Sequence, residues 1–189
     1  MHRHLPLCLS VLLLIAFRVI GAAYPMALPN FQPLAALFFC GALIAPAWRG
    51  FALPLAIWIL TFPLGSGHPD GPSLFLTTLA ALTLTFFLGK WLSKKGWASM
   101  LLGSVAATLV FHLITNSAAW LADPRYAKSL VGLWQSLWTG APGDVLPSWV
   151  FLRNLGVANL IFTGAHLLAM LRAPQVYPSL AAPQAAKSH

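Results

Sequence analysis

Two arginines, Arg18 and Arg153, stand inside stretches so apolar that a charge there needs a reason. An arginine at the centre of a membrane helix costs roughly 2.5–3.5 kcal/mol on insertion scales. The chain has no glutamate, and its only acids, Asp70, Asp123 and Asp144, all fall between the apolar runs. Three readings stay open. Both arginines snorkel to lipid headgroups; or they receive an anionic or carboxylate-bearing ligand; or they pair with Asp123 or Asp144 folded over them.

A second group lies on one later segment. Thr108, His112, Asn116 and Trp120 recur every four residues and so share a helix face. They could line a pocket, or they could be hydrogen bonders between helices, each worth about 0.6–2 kcal/mol. Gly103 and Ala107 form a small-xxx-small pair that allows close helix approach. Downstream, Arg153, Asn154, Asn159, Thr163 and His166 fall in the last apolar run; of these His166 reads as a packing or lipid-facing residue. The sequence has no Walker-type phosphate loop, His-Glu-x-x-His or Gly-x-Ser-x-Gly. Without glutamate, or aspartate inside a span, it is poorly equipped for general acid–base chemistry. Cys8 and Cys40 form neither a metal spacing nor a disulfide framework. We therefore expect no enzyme, no cofactor and no metal.

The elements that must position these residues follow from composition. Of 189 residues, 59% are hydrophobic and 7% charged, against roughly a quarter charged in a soluble domain. The net charge of +8 is not clustered on any soluble segment, so no nucleic-acid partner is expected. Runs of about 20 apolar residues span a bilayer. Six candidates are found: Leu5 to Tyr24, Phe31 to Trp48, Phe51 to Gly65, Pro72 to Leu92, Trp97 to Leu121, and Leu146 to Leu171. The second and third are short and punctuated by Pro46, Pro54 and Pro63, which predicts tilted, broken or protein-covered helices. Six spans put both termini on one side, with Arg3, Arg49, Lys90, Lys94, Lys95, Arg172 and Lys187; the other side has Arg125, Lys128 and all three aspartates. Both termini are therefore expected in the cytoplasm, and Arg18 and Arg153 in the outer halves of their spans. His2-Arg3-His4, an apolar core and Gly21-Ala22-Ala23 also resemble a cleavable signal peptide, but Arg18 interrupts that pattern and the segment reads as helix one.

Between the fifth and sixth spans, Asp123-Pro124 looks like a helix N-cap followed by a first-turn proline. Tyr126, Leu130, Leu133, Trp134, Leu137 and Trp138 then recur at helical spacing, predicting an amphipathic helix over about 124–138 that lies on the outer surface or roofs the bundle. The expected organisation is one all-α membrane domain, 1–172, with a disordered cytoplasmic tail over 173–189.

Asn30-Phe31-Gln32-Pro33-Leu34-Ala35-Ala36 before Phe38-Phe39-Cys40-Gly41, then Phe111-His112-Leu113-Ile114-Thr115-Asn116 with Trp120, resemble an uncharacterised family of bacterial membrane proteins described as transport proteins. Tyr126, Ser129, Gly132, Leu133 and Arg153-Asn154 continue that resemblance over nearly the whole chain. Where the family carries acids, this chain has Thr61-Phe62-Pro63-Leu64-Gly65 and Asn159. The family in turn looks like the substrate-binding S components of energy-coupling factor (ECF) transporters. The resemblance implies six transmembrane helices in the bacterial cytoplasmic (inner) membrane, an outward pocket for a small solute, and a coupling protein with ATPase subunits as partners. Arg18, Asn30, His112, Asn116, Trp120, Arg153, Asn154 and Asn159 are the expected substrate-binding residues. The alternative is an accessory or assembly subunit of a larger membrane complex, with no ligand of its own and the polar stripe serving as helix glue.

Overall fold

The computed structural model describes residues 5–24, 27, 29–45, 48–65 and 72–172. The expected tail over 173–189, Arg3 and Asp70 lie outside the described residues. Within them the chain is all-helical, with α1 (Leu5–Ala23), α2 (Leu34–Ile44), α3 (Arg49–Gly65), α4 (Pro72–Leu92), α5 (Trp97–Ala122), α6 (Leu130–Trp138) and α7 (Ser148–Arg172). Three segments are long and apolar enough to cross a membrane: Leu74–Leu92, Trp97–Ala122 and Ser148–Leu171. Three shorter apolar helices, Cys8–Ala23, Leu34–Ile44 and Arg49–Phe62, occupy the other expected runs. Large apolar side chains such as Leu76, Phe87, Leu102, Leu113 and Leu168 face outward along the long helices. That perimeter suits a hydrocarbon solvent and is far larger than water-soluble monomers tolerate.

α2 sits at the centre and packs against α1, α3, α4, α5 and α7. Its sequence, LAALFFCGALI, is apolar on every side, as a helix surrounded by protein should be. Leu34 through Gly41 and Leu43 are all buried. A helix so enclosed need not reach across a bilayer, which accounts for a run expected from Phe31 to Trp48 being helical over only 11 residues.

Close packing around α2 depends on glycine. A Cβ on Gly41 would lie 2.2 Å from the Gly50 carbonyl oxygen of α3, and one on Gly50 would lie 2.4 Å from the Gly41 oxygen. Pro54, four residues on, has no N–H to return to the Gly50 carbonyl, which is thereby left to face α2. On the other flank a Cβ on Gly89 of α4 would stand 1.9 Å from the Phe39 oxygen. Around these contacts aromatic rings fill the α2–α3–α4 core: Phe51 meets Phe38 and Phe86 edge-on, and Trp58 stacks on Phe75 with centroids 4.8 Å apart.

The segment expected as a helix from Pro124 is helical only from Leu130. Asp123 ends α5 instead, and its carboxylate accepts the Arg125 backbone N–H at 2.9 Å and the Arg125 guanidinium. With that oxygen committed to a turn, Ser129 caps α6 by accepting from the Gly132 N–H at 3.2 Å.

The glycine contacts predict a contrast. Gly89→Ala must push a methyl group into a backbone carbonyl and should destabilise by about 1–3 kcal/mol. Gly164→Ala, whose Cβ would meet only Leu101 at 3.8 Å, should be neutral or stabilising through helix propensity. Thermal unfolding of both variants in the same detergent checks this; equal midpoints would contradict the close approach.

Candidate functional site

Arg18 is 5% exposed. Its Nε donates to Thr61 Oγ1 of α3 at 2.9 Å, and Nη1 donates to Gln32 Oε1 in the segment between α1 and α2. Thr61 is available as an acceptor because its own hydroxyl donates back to the Ile57 carbonyl at 2.7 Å. Guanidinium carries five N–H groups, so two are used and three have no protein acceptor among the described residues. No described carboxylate reaches Arg18; both ion pairs found among the described residues belong to Arg125. Among the described residues the charge is thus held by neutral dipoles alone, in a setting where an unpaired ion costs several kcal/mol.

The partner segment is itself shaped to present Gln32. Asn30 adopts φ 56°, a left-handed conformation that asparagine tolerates better than most residues. The Gln32 N–H closes a tight turn on the Asn30 carbonyl at 2.9 Å, and the Gln32 amide nitrogen points to Asn30 Oδ1 at 3.4 Å. From α7, Asn154 Nδ2 donates to the Pro29 carbonyl at 2.8 Å. Arg153 donates to Asn154 Oδ1 through Nε and Nη2, and its guanidinium lies over Trp149 at 5.2 Å. Arg18 and Arg153 are therefore the two ends of one hydrogen-bonded strap across residues 29–32. They do not face each other across a pocket: Arg18 is buried and Arg153 is exposed.

Beside this strap lies a cavity of about 220 Å³ lined by Phe17, Ile20, Gly21, Tyr24, Ala27 and Phe31. Its walls are almost wholly apolar, with one aromatic ring from α1 (Phe17), one just past its end (Tyr24) and one from the strap (Phe31). None of Arg18, Asn116 and Arg153 lines it.

The α5 stripe is placed elsewhere. His112 Nε2 donates to the Leu137 carbonyl of α6 at 2.9 Å, and Asn116 Nδ2 bonds His112 Nδ1 at 3.0 Å and the His112 carbonyl at 2.9 Å. Trp120 Nε1 donates to the Ala127 carbonyl at 2.8 Å. Asn159 is fully buried between α5 and α7, donating to Thr108 Oγ1 at 2.7 Å. One turn on, Cys40 Sγ lies 3.9 Å from Thr163 Oγ1, and Ser10 Oγ lies 3.1 Å from His166 Nδ1. His166 is packed inside the bundle, with no lipid contact. Asn159 Oδ1 and His166 Nε2 are buried without a protein partner.

Two residues that the sequence did not single out for the site, Gln32 and Thr61, make both contacts to Arg18. Neither has a charge or a spacing that betrays the role. Around Asp123, Arg125 pairs with Asp123 and with Asp144, each at 2.7 Å. Hydrogen bonds from Arg125 hold the Asp123 carboxyl below its ordinary pKa, and the two acids push the exposed Arg125 guanidinium up. Burial first, and then those same acids, raise the Tyr126 phenol.

Fold and site together define an all-helical protein with membrane-length helices and a buried arginine that no described carboxylate meets. Residues 1–180 match the model of a family of unknown function (DUF6580), and the chain belongs to that family. No curated protein and no solved structure matches it.

The Asp123 carboxyl is lowered in the folded state, so its contribution is present above the unfolded pKa and lost as pH falls through the folded one. Hydrogen exchange over residues 123–144 should therefore hold constant from pH 7 to about pH 4 after correction for intrinsic rates, and accelerate below that. Asp123→Asn should remove the acid step; an unchanged step would assign it to another group.

Proposed function

We propose that this chain is a six-helix protein of the bacterial cytoplasmic membrane, with both termini cytoplasmic, that captures a small carboxylate-bearing solute at its outer face. Its role would be that of a substrate-capture subunit like an ECF S component, and uptake would then need a coupling protein and ATPase subunits. The observation that carries the reading is Arg18: a buried guanidinium with three N–H groups that meet no acceptor among the described residues, one position along the chain from Phe17 in the wall of a 220 Å³ apolar cavity. A carboxylate offers two oxygens in the geometry that a guanidinium binds in bidentate fashion. Phe17, Tyr24 and Phe31 suit the apolar body of such a solute. Asn30 and Asn154 would act by holding the strap, and exposed Arg153 by drawing anions toward the face. His112, Asn116, Trp120 and Asn159 serve the helix contacts described above.

A second reading has an observation of its own. Asn116, Asn154 and the Asn159 amide nitrogen all find acceptors inside the chain, which is what an accessory subunit with no ligand would show. Gln32→Glu separates the two. It sets a carboxylate against Arg18 in place of a neutral amide, so it should raise the unfolding midpoint under either reading. Under solute capture it should also abolish binding of carboxylates that titrate onto the wild-type protein in nanodiscs. Arg18→Gln should weaken that binding roughly ten- to a hundredfold. A wild-type protein that neither co-purifies with nor binds any carboxylate, while holding stoichiometric partner chains, would sink solute capture.

A further inference from the structure

From the sequence, an amphipathic helix that lies on the outer surface or roofs the bundle is expected here. Its contacts give a different picture. The residues turned fully inward are the small ones: Gly132 and Ser136 are buried, with Leu133 and Leu137 half-buried beside them, and a Cβ on Gly132 would meet the Ala127 oxygen at 1.9 Å. The residues turned outward are the large ones: Leu130 is 83% exposed, Val131 77%, Trp134 65% and Trp138 48%. Trp134 and Trp138 stack on each other with centroids 6.2 Å apart. No residue of α6 is charged.

Two contacts with α5 set the direction of the helix. Ala127, just before α6, meets Trp120 near the end of α5, whereas Leu137, near the end of α6, meets His112 two turns deeper. α6 therefore runs obliquely back beside α5 and does not lie across its end. His112 is ten residues before Ala122, or about 15 Å down the helix. α5 itself is 26 residues long, about 39 Å, which exceeds a hydrocarbon core of about 30 Å. That excess leaves room for the end of α5 to stand above the acyl region, with α6 starting near that level and running back alongside α5.

We propose that α6 is a re-entrant helix whose Leu130, Val131, Trp134 and Trp138 face inserts at the headgroup–acyl boundary of a phospholipid bilayer, on the side where α5 ends and α7 begins. At nine residues it is too short to cross. It connects two successive membrane-length helices, so one membrane surface must pass close to it. Stacked tryptophans are the side chains favoured at that depth. The charged groups divide to match: Asp123, Arg125, Lys128 and Asp144 gather at the shallow end, and Arg153 keeps its exposed guanidinium over Trp149, free of any described carboxylate and suited to lipid phosphate. The placement shares with the functional proposal only the membrane assignment, and needs no solute.

The test is spin labelling in vesicles of phosphatidylcholine and phosphatidylglycerol. In a Cys8→Ser background, single cysteines replace Leu130, Val131, Trp134 and Trp138, with Leu113 on the outward face of α5 as a control. The labels should collide more with oxygen, which dissolves in lipid, than with a water-soluble nickel chelate, and that ratio should rise from position 130 to position 138. Nickel contact at these positions with a lipid signal at position 113 would overturn the proposal while leaving the membrane assignment intact. Exclusion of both reagents would overturn it too, showing a second copy or another protein over the face. A water signal at position 113 would remove the membrane assignment, and with it both proposals. Should the cysteine variants not fold, quenching of native fluorescence by brominated lipid should fall in Trp134→Phe and Trp138→Phe; unchanged quenching in both would overturn the proposal.

Discussion

The bundle depends on α2 coming close enough to its neighbours for backbone to meet backbone. Gly41 against Gly50 and Gly89 against the Phe39 carbonyl leave no room for a methyl group. That closeness lets one short helix touch five others. It also fixes the start of α2, at Leu34, within reach of both α1 and α7. The segment leading into α2 is consequently held between those two helices, and Gln32 and Asn30 arrive where Arg18 and Asn154 can bind their neighbourhood. A contact made of glycine in the middle of the bundle thereby decides the geometry of a site at its end.

That site carries its charge in an uncommon way. A buried arginine is ordinarily matched by a carboxylate, because neutral dipoles return only part of the solvation that burial removes. Arg18 has Thr61 and Gln32 instead. Thr61 can serve because its hydroxyl proton is already given to a carbonyl of its own helix. Gln32 can serve because Asn30, in a left-handed conformation, turns the chain to aim it. The charge thus orders the strap as much as the strap covers the charge.

The sequence made some of this legible and hid the rest for definable reasons. Six apolar runs correspond to six apolar helices, because hydrophobic length is a property of consecutive residues. Arg18 and Arg153 were both visible because a charge in an apolar run is conspicuous, but nothing in the sequence separates the buried one from the exposed one. Gln32 and Thr61 were not, since a neutral hydrogen-bonding residue has no signature until the fold brings it beside a charge. The direction of α6 was hidden as well. Its leucines and tryptophans show which face is apolar, but only Gly132 and Ser136, packed inward, show that this face turns away from the protein. Asp123-Pro124 misled for a local reason: an aspartate before proline caps a helix or makes a turn, and Arg125 decided for the turn by holding the carboxylate.

The polar residues of α7 connect these levels. Asn159, Thr163 and His166 fall along one face and reach α5, α2 and α1 in turn, through Thr108, Cys40 and Ser10. The α2–α3–α4 side is joined by aromatic rings, which tolerate small slides because their attraction has little direction. Hydrogen bonds do not tolerate them, so the α7 seam sets the height of that helix against its three neighbours. Asn159 Oδ1 and His166 Nε2 find no protein partner among the described residues, so each side chain is tied into the seam through its other polar atom, Nδ2 and Nδ1 respectively. The registered height matters at the far end of α7, where Asn154 grips the Pro29 carbonyl. A slip of one turn, about 5.4 Å, would carry Asn154 out of hydrogen-bond range and free the strap that holds Gln32 on Arg18. Asn159, which the sequence offers as a substrate-binding residue, and His166, which it offers as a packing or lipid-facing one, thus help keep the arginine site in register from a distance.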